Sequence, residues 1–197
     1  MKAVAVSQRV DDYPQRRETR DALDQRLVQW LHTAGYMPYP VPNVLFDAHA
    51  LGAWLDGLQP AGIVLSGGND LGQAGRRDRT EEALLDYAQQ HHLPLLGICR
   101  GMQMMGVRTQ TELKPVTGHV ASRHVLSGEY AGSANSYHNY SLAACPADFR
   151  VLAQSEDGEI EAVRHLTLPW EGWMWHPERE DAFSAQDLQR LRSLFGA

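Results

Sequence analysis

The sequence predicts an α/β fold: a mostly parallel, doubly wound sheet with helices on both faces and antiparallel additions in the C-terminal third. Two observations predict it. Short, uninterrupted apolar runs stand at residues 3–6, 63–65 and 93–98. They lack polar alternation and therefore suit strands covered on both sides, as in parallel sheets. Between them lie helix-period patterns, and strands alternating with helices build right-handed βαβ units.

Each element follows in order. Over residues 18–34 the apolar side chains Leu23, Leu27, Trp30, Leu31 and Ala34 recur at three-to-four spacing, and Gly35 supplies a C-terminal stop. A second helix is expected over 48–58, and a third, rich in Glu and Gln, over 79–91 ahead of Pro94. The run 93–98 leads through Gly97-Ile98-Cys99-Arg100-Gly101 into a helix-forming run, 102–105, which reads as strand, tight turn and helix. After Met105 the chain turns to short alternating stretches. Gly158, after Glu156 and Asp157, marks a hairpin between 151–153 and 160–164. A last helix over 185–194 is capped by Ser184. With no repeat, low-complexity tract or long linker, residues 1–197 are expected to form one domain.

A chain of 197 residues with 43% hydrophobic residues can bury one sizeable core. Its net charge of −6, its pI near 5.8 and the lack of a Lys/Arg run exclude a nucleic-acid or anionic-membrane surface, since both need a clustered positive face. No segment approaches the roughly 18 apolar residues of a membrane span, and the N-terminal apolar stretch is too short for a secretory signal. A cytoplasmic setting is expected, with Cys99 and Cys145 as free thiols.

The chemistry centres on Cys99. Gly97-Ile-Cys99-Arg-Gly101 matches the pattern of a nucleophile elbow, in which a sharp strand-to-helix turn strains the central residue and flanking glycines let the backbones approach. The turn lifts the thiol from the carboxyl edge of the sheet and sets it at a helix N-terminus, which favours an anion. A nucleophilic thiol needs a base, and the base an orienting acceptor. Among nine histidines, His176 stands apart because Glu178 follows two residues later, on the same side of an extended segment that Pro177 keeps from becoming helical. Donors for a developing oxyanion are expected from the Gly68 and Arg100 amides, because Ser66-Gly67-Gly68-Asn69 ends a buried strand at the same sheet edge. A phosphate loop fits that glycine spacing poorly.

In chain order, Ser-Gly-Gly-Asn-Asp (66–70), Gly-Ile-Cys-Arg-Gly-Met-Gln (97–103), Asn-Ser-Tyr-His-Asn (135–139) and Trp-His-Pro-Glu (175–178) resemble the class I glutamine amidotransferases. Within them the sequence is similar to the branch of the γ-glutamyl-γ-aminobutyrate hydrolases, the C26-type cysteine peptidases. The resemblance implies a flavodoxin-like three-layer α/β/α sandwich. It also implies a cofactor-free Cys99–His176–Glu178 triad that hydrolyses a γ-glutamyl amide. The expected substrate is glutamine, its ammonia passing to a partner synthase, in sugar or surface-polysaccharide modification on a weaker likeness. The alternatives are a stand-alone hydrolase of γ-glutamylated amines and a catalytically silent binding module. Gly67, Gln103, Ser136, Tyr137 and His138 would contact the amino-acid end of the substrate. One departure stands out: Gln110 and Thr111 occupy the loop 107–113 where relatives carry Gly-Gly, so positive-φ backbone there would be strained.

Two features are read more plainly. His119, His124 and His138 lack a cysteine or carboxylate at ligand spacing, so they are expected to be structural or pocket-lining and no metal is expected. Trp170, Trp173 and Trp175 read as core or as a pocket wall beside His176. The five arginines of residues 7–26 read as a solvated helix face or as a recognition surface for substrate or partner.

Overall fold

A computed structural model describes residues 1–196, with Ala48 described by its backbone. Its elements, in chain order, are β1 (Lys2–Val6), β2 (Arg9–Tyr13), β3 (Glu18–Ala22), α1 (Gln25–Ala34), β4 (Tyr36–Pro40), α2 (Ala48–Leu58), β5 (Gly62–Leu65), α3 (Gly75–Gln90) and β6 (Leu95–Ile98). There follow α4 (Arg100–Arg108), β7 (Leu113–Pro115), β8 (Val120–Gly128), β9 (Gly132–Tyr137), β10 (Tyr140–Leu142), β11 (Phe149–Ser155), β12 (Ile160–His165), β13 (Trp170–Trp173) and α5 (Ala185–Phe195).

One nine-stranded sheet runs in the order β4-β1-β5-β6-β13-β12-β11-β8-β9. The first five strands are mutually parallel and the last four are antiparallel additions, as the sequence predicts. The apolar runs of β1, β5 and β6 are buried along almost their whole length. Helix α1 packs with α5, while α2, α3 and α4 pack in sequence, so both faces of the sheet are covered and the fold is a three-layer α/β/α sandwich.

Three local expectations are corrected. The helix expected over 18–34 begins only at Gln25, where the Asp24 side chain caps it by accepting from the Arg26 amide at 2.8 Å. Residues 18–22 instead pair antiparallel with 9–13 as a hairpin. This stretch is rich in charged helix formers but carries no apolar stripe to bury, whereas cross-strand pairs such as Thr19–Asp12, at 2.6 Å, and a tie from Asn69 to both Val10 backbone groups favour the ladder. The third helix starts one turn before Arg79, and the strand before Cys99 begins at Leu95, after Pro94.

The alternating C-terminal region conceals a central strand. β13 lies parallel to β6 and between it and β12, with Trp170 and Trp173 in the core and Trp175 stacked on Trp173. The tryptophans are therefore core residues. β4 escapes a sequence reading because Pro38 and Pro40 interrupt it, which an edge strand tolerates. In the loop after α4, Gln110 does take a left-handed φ of 65°, a conformation that glycine adopts more readily.

Candidate active site

The carboxyl ends of β5, β6 and β13, three consecutive parallel neighbours, bring residues 66–69, Cys99 and His176 to one edge of the sheet. The Cys99 amide donates to the Trp173 carbonyl at 2.7 Å, tying the turn to β13. Cys99 caps α4 with φ 50° and ψ −103°, outside both helical and extended basins. Such a conformation costs about 1–3 kcal/mol and persists only where surrounding contacts fix it. Arg100, the first residue of α4, has an amide with no intrahelical acceptor. Gly97 makes the turn possible: a Cβ there would lie 2.6 Å from the Gly101 carbonyl carbon and 2.6 Å from Met105 Sδ.

His176 is 2% exposed and fixed at its backbone by Asn135, which accepts from the His176 amide at 2.9 Å and donates to its carbonyl at 2.8 Å. The chain is extended at His176 but turns as a 3-10 helix over Pro177–Arg179, which corrects the expectation that it stays extended through Glu178. Proline suits the first position of a helical turn. The turn still brings Glu178 Oε1 to 2.6 Å from His176 Nδ1, leaving Nε2 for the thiol. Arg26 Nε donates to the Glu178 carbonyl at 2.8 Å, so one of the N-terminal arginines braces this turn. Burial, the strongest influence, would lower the imidazole's pKa. The Glu178 charge and the hydrogen bond with Cys99 outweigh it and raise His176 to about 9. At neutral pH the imidazole is therefore an imidazolium beside the Cys99 sulfur.

Gly67 meets this ring directly. A Cβ on it would fall 2.5 Å from His176 Cε1, so only glycine lets the loop approach the base. The loop's carbonyls are held from behind by the fully buried Arg77, whose Nη2 donates to Ser66 O at 2.6 Å and Gly67 O at 2.9 Å. Arg77 Nε pairs with buried Glu81 at 3.0 Å, and Arg100 pairs with both Glu81 and Asp78. Burial would raise the Glu81 carboxyl, yet Arg77 and Arg100 outweigh it and hold its pKa below the ordinary range. Sequence reading misses this network, because Arg77 and Glu81 sit in a strongly charged stretch and only their i, i+4 spacing hints at a pair.

The predicted substrate residues divide. Tyr137 is 40% exposed, its ring 5.9 Å from that of His176 and in edge contact with it, while the Arg179 guanidinium lies over it at 4.8 Å. Gln103, Ser136 and His138 are buried behind the site. Gln103 Nε2 donates to Tyr140 O at 2.9 Å, the Ser136 hydroxyl donates to His119 O at 2.8 Å, and the His138 ring turns toward His119. These side chains brace the wall that Tyr137 presents.

The β2–β3 hairpin overhangs the 66–69 loop, with Arg9 against Gly68. Arg9, Leu23 and Leu27 join Gly67, His176 and Glu178 around a recess of about 70 Å³. Beyond Asn69 a cleft of about 850 Å³ opens, lined by Arg9, Asp11, Tyr13, Thr19 and Arg76 among others. The cleft has room for a much larger group than the recess.

Residues 20–190 match the family model described as glutamine amidotransferase class-I. The chain is 32% identical over 139 residues to the γ-glutamyl-CDP-amidate hydrolase of Campylobacter jejuni, covering 68% of each chain. It is 32% identical over 127 residues to a glutamine-hydrolysing GMP synthase subunit of Methanothrix thermoacetophila, covering 59% of this chain and 66% of that one. The crystal structure of a GMP synthase subunit from Thermoplasma acidophilum superposes with a TM-score of 0.74 at 22% identity, covering all of this chain and 93% of the other, a likeness of fold.

Proposed function

Since the chain belongs to the class-I glutamine amidotransferases, a family of amide-hydrolysing enzymes, we propose that it cleaves a γ-glutamyl amide through Cys99. The observation that carries this reading is the strained Cys99 facing a buried imidazole whose Nδ1 is held by Glu178 at 2.6 Å. The Cys99 sulfur, its proton held on His176 Nε2, attacks the γ-carbonyl carbon. The oxyanion that forms is met by the amides of Gly68 and Arg100. As the intermediate collapses, the C–N bond breaks and His176 Nε2 gives its proton to the departing amine, leaving a γ-glutamyl thioester. Water then gives a proton to His176 and attacks the thioester; glutamate leaves, the sulfur departs with the bonding electrons, and the proton stays on His176, which restores the starting pair. Both cysteines are unpaired thiols, which fits a reducing cytoplasm.

The hairpin cleft favours an amine larger than ammonia. Its position beside the oxyanion loop and its mixture of Arg9, Arg76 and Tyr13 with acidic groups suit a polar, charged leaving amine, such as the amidate named for the Campylobacter relative. The second reading is glutamine hydrolysis with ammonia passed to a synthase partner, favoured by the name of the archaeal GMP synthase relative. Release of ammonia from glutamine, compared with amine release from a panel of γ-glutamyl amides, separates them. The expected result is a kcat/KM at least tenfold higher for a larger amide, with no partner present. Weak glutamine hydrolysis that rises when a synthase is added supports the second reading, and consumption of no γ-glutamyl amide at all overturns both.

The pH profile follows from His176. Its charged form, needed to protonate the leaving amine, persists up to about pH 9 and is lost above it. Single-turnover acylation is therefore expected to fall about tenfold per unit above that point. In Glu178→Gln the descending limb moves to lower pH, because the carboxylate that raises the imidazole is gone; a limb that stays in place contradicts the orienting role.

A further inference from the structure

Just past Tyr137 in the chain, behind the wall it presents, three histidines from the β8–β10 region surround Glu161 of β12. Glu161 is fully buried, and among the described residues neither of its carboxylate oxygens has a hydrogen-bond donor. His119 Nδ1 lies 3.5 Å and His138 Nε2 3.4 Å from Glu161 Oε1, and the two nitrogens are 3.2 Å apart. The outer ring atoms fix the tautomers. His138 Nδ1 is 3.1 Å from the Tyr140 carbonyl and His119 Nε2 is 2.8 Å from Asp157 Oδ2, both pure acceptors, so these outer nitrogens carry the hydrogens. The inner nitrogens therefore face each other and a buried carboxylate whose oxygens have no hydrogen-bond partner among the described residues, an arrangement that calls for a cation, a proton or a metal ion, at its centre.

We propose that His119, His138 and Glu161, with His124, bind a divalent transition metal of the Zn²⁺ class. The triangle of 3.2, 3.4 and 3.5 Å has the dimensions required. Ligands about 2.0–2.1 Å from a tetrahedral Zn²⁺ are separated from one another by about 3.4 Å. His124 is the fourth ligand: its Nε2 is buried without a partner, and its ligating atom lies within 4.8 Å of those of His119 and Glu161. Asp157, accepting from the far nitrogen of His119, occupies the place of the carboxylate that orients a metal-bound histidine. Spacing in the sequence argues against a metal because no carboxylate accompanies the histidines; the fold supplies one from β12, 23 positions beyond His138. Four protein ligands leave no open position, so the metal is a structural clamp. It would fasten the turn between β9 and β10, whose Tyr140 carbonyl receives both His138 Nδ1 and Gln103 Nε2.

The test is metal titration of chelator-treated protein, carried out on Cys99→Ala chain so that the active-site thiol does not compete. Expected are one equivalent of Zn²⁺ taken up, displacement of Co²⁺ by Zn²⁺, and a Co²⁺ visible spectrum of the intense tetrahedral kind without a thiolate band. Asp157→Asn, at a half-exposed position that folding tolerates, is expected to weaken binding about 10–100-fold. Glu161→Gln is expected to weaken it further. Failure to bind either ion, which would leave a shared proton between the histidines, overturns the proposal. Equal binding by Glu161→Gln overturns it as well. Neither readout depends on the hydrolase reaction.

Discussion

Cys99→Gly is expected to abolish γ-glutamyl amide hydrolysis and to raise the melting temperature. The two effects share one cause. Cys99 sits at φ 50° and ψ −103°, a conformation that an L-residue holds at a cost of about 1–3 kcal/mol and that glycine holds freely. Each kcal/mol recovered shifts the melting temperature of a chain of this size by about 2–4 °C. Cys99→Ala keeps the Cβ and therefore the strain, so it is expected to lose activity with little change in melting temperature. Loss of a nucleophile that works with its base as a unit lowers kcat on the order of 10⁴-fold or more. Activity assays beside thermal denaturation of both variants check this. If Cys99→Gly melts no higher than Cys99→Ala, the strain is not localised at residue 99; if either variant turns over at near the parent rate, Cys99 is not the nucleophile.

That strain is also why this part of the molecule is legible in the sequence. A cysteine between glycines, at the junction of an apolar run and a helix-forming run, is a local signature, and local signatures survive without knowledge of the fold. The same holds for Gly35 ending α1, for Ser184 capping α5 and for the Gly158 turn between β11 and β12. What is not legible is decided by pairing at a distance. The charged residues 18–22 look like the start of α1 until their pairing with 9–13, where Asn69 from far along the chain grips Val10, is seen. β13 is short and Trp-rich, and only its neighbours β6 and β12 make it a strand. The resemblance puts Gln103, Ser136 and His138 among expected substrate contacts, and in the structure their side chains bond to Tyr140, to the His119 carbonyl and to the histidine cluster. Motif matching fixes a position in the chain; it does not fix where a side chain points.

The second large effect belongs to a residue that no motif marks. Arg77→Met is expected to destabilise the protein by about 3–5 kcal/mol, because it takes one of the two cations from a buried carboxylate and the donor from two loop carbonyls. Fully buried Glu81 would keep Arg100 and the 2.7 Å hydrogen bond from Ser7, but the Ser66 and Gly67 carbonyls would lose their donors. At about 2–4 °C per kcal/mol the melting temperature is expected to fall by roughly 10 °C. Activity should fall more than stability alone explains. Those carbonyls belong to the loop that touches the His176 ring and carries Gly68, and a displacement on the order of 1 Å at such a site can cost about 10²-fold in rate. Arg77→Lys separates charge from shape. It restores a cation for Glu81, but a single ammonium cannot reproduce a guanidinium fork that reaches Ser66, Gly67 and Glu81 at once. Its stability is therefore expected to recover partly while kcat stays low. If the lysine variant restores both equally, Arg77 acts through charge alone; if kcat in Arg77→Met is unchanged at temperatures where the variant is folded, the loop's position does not depend on it.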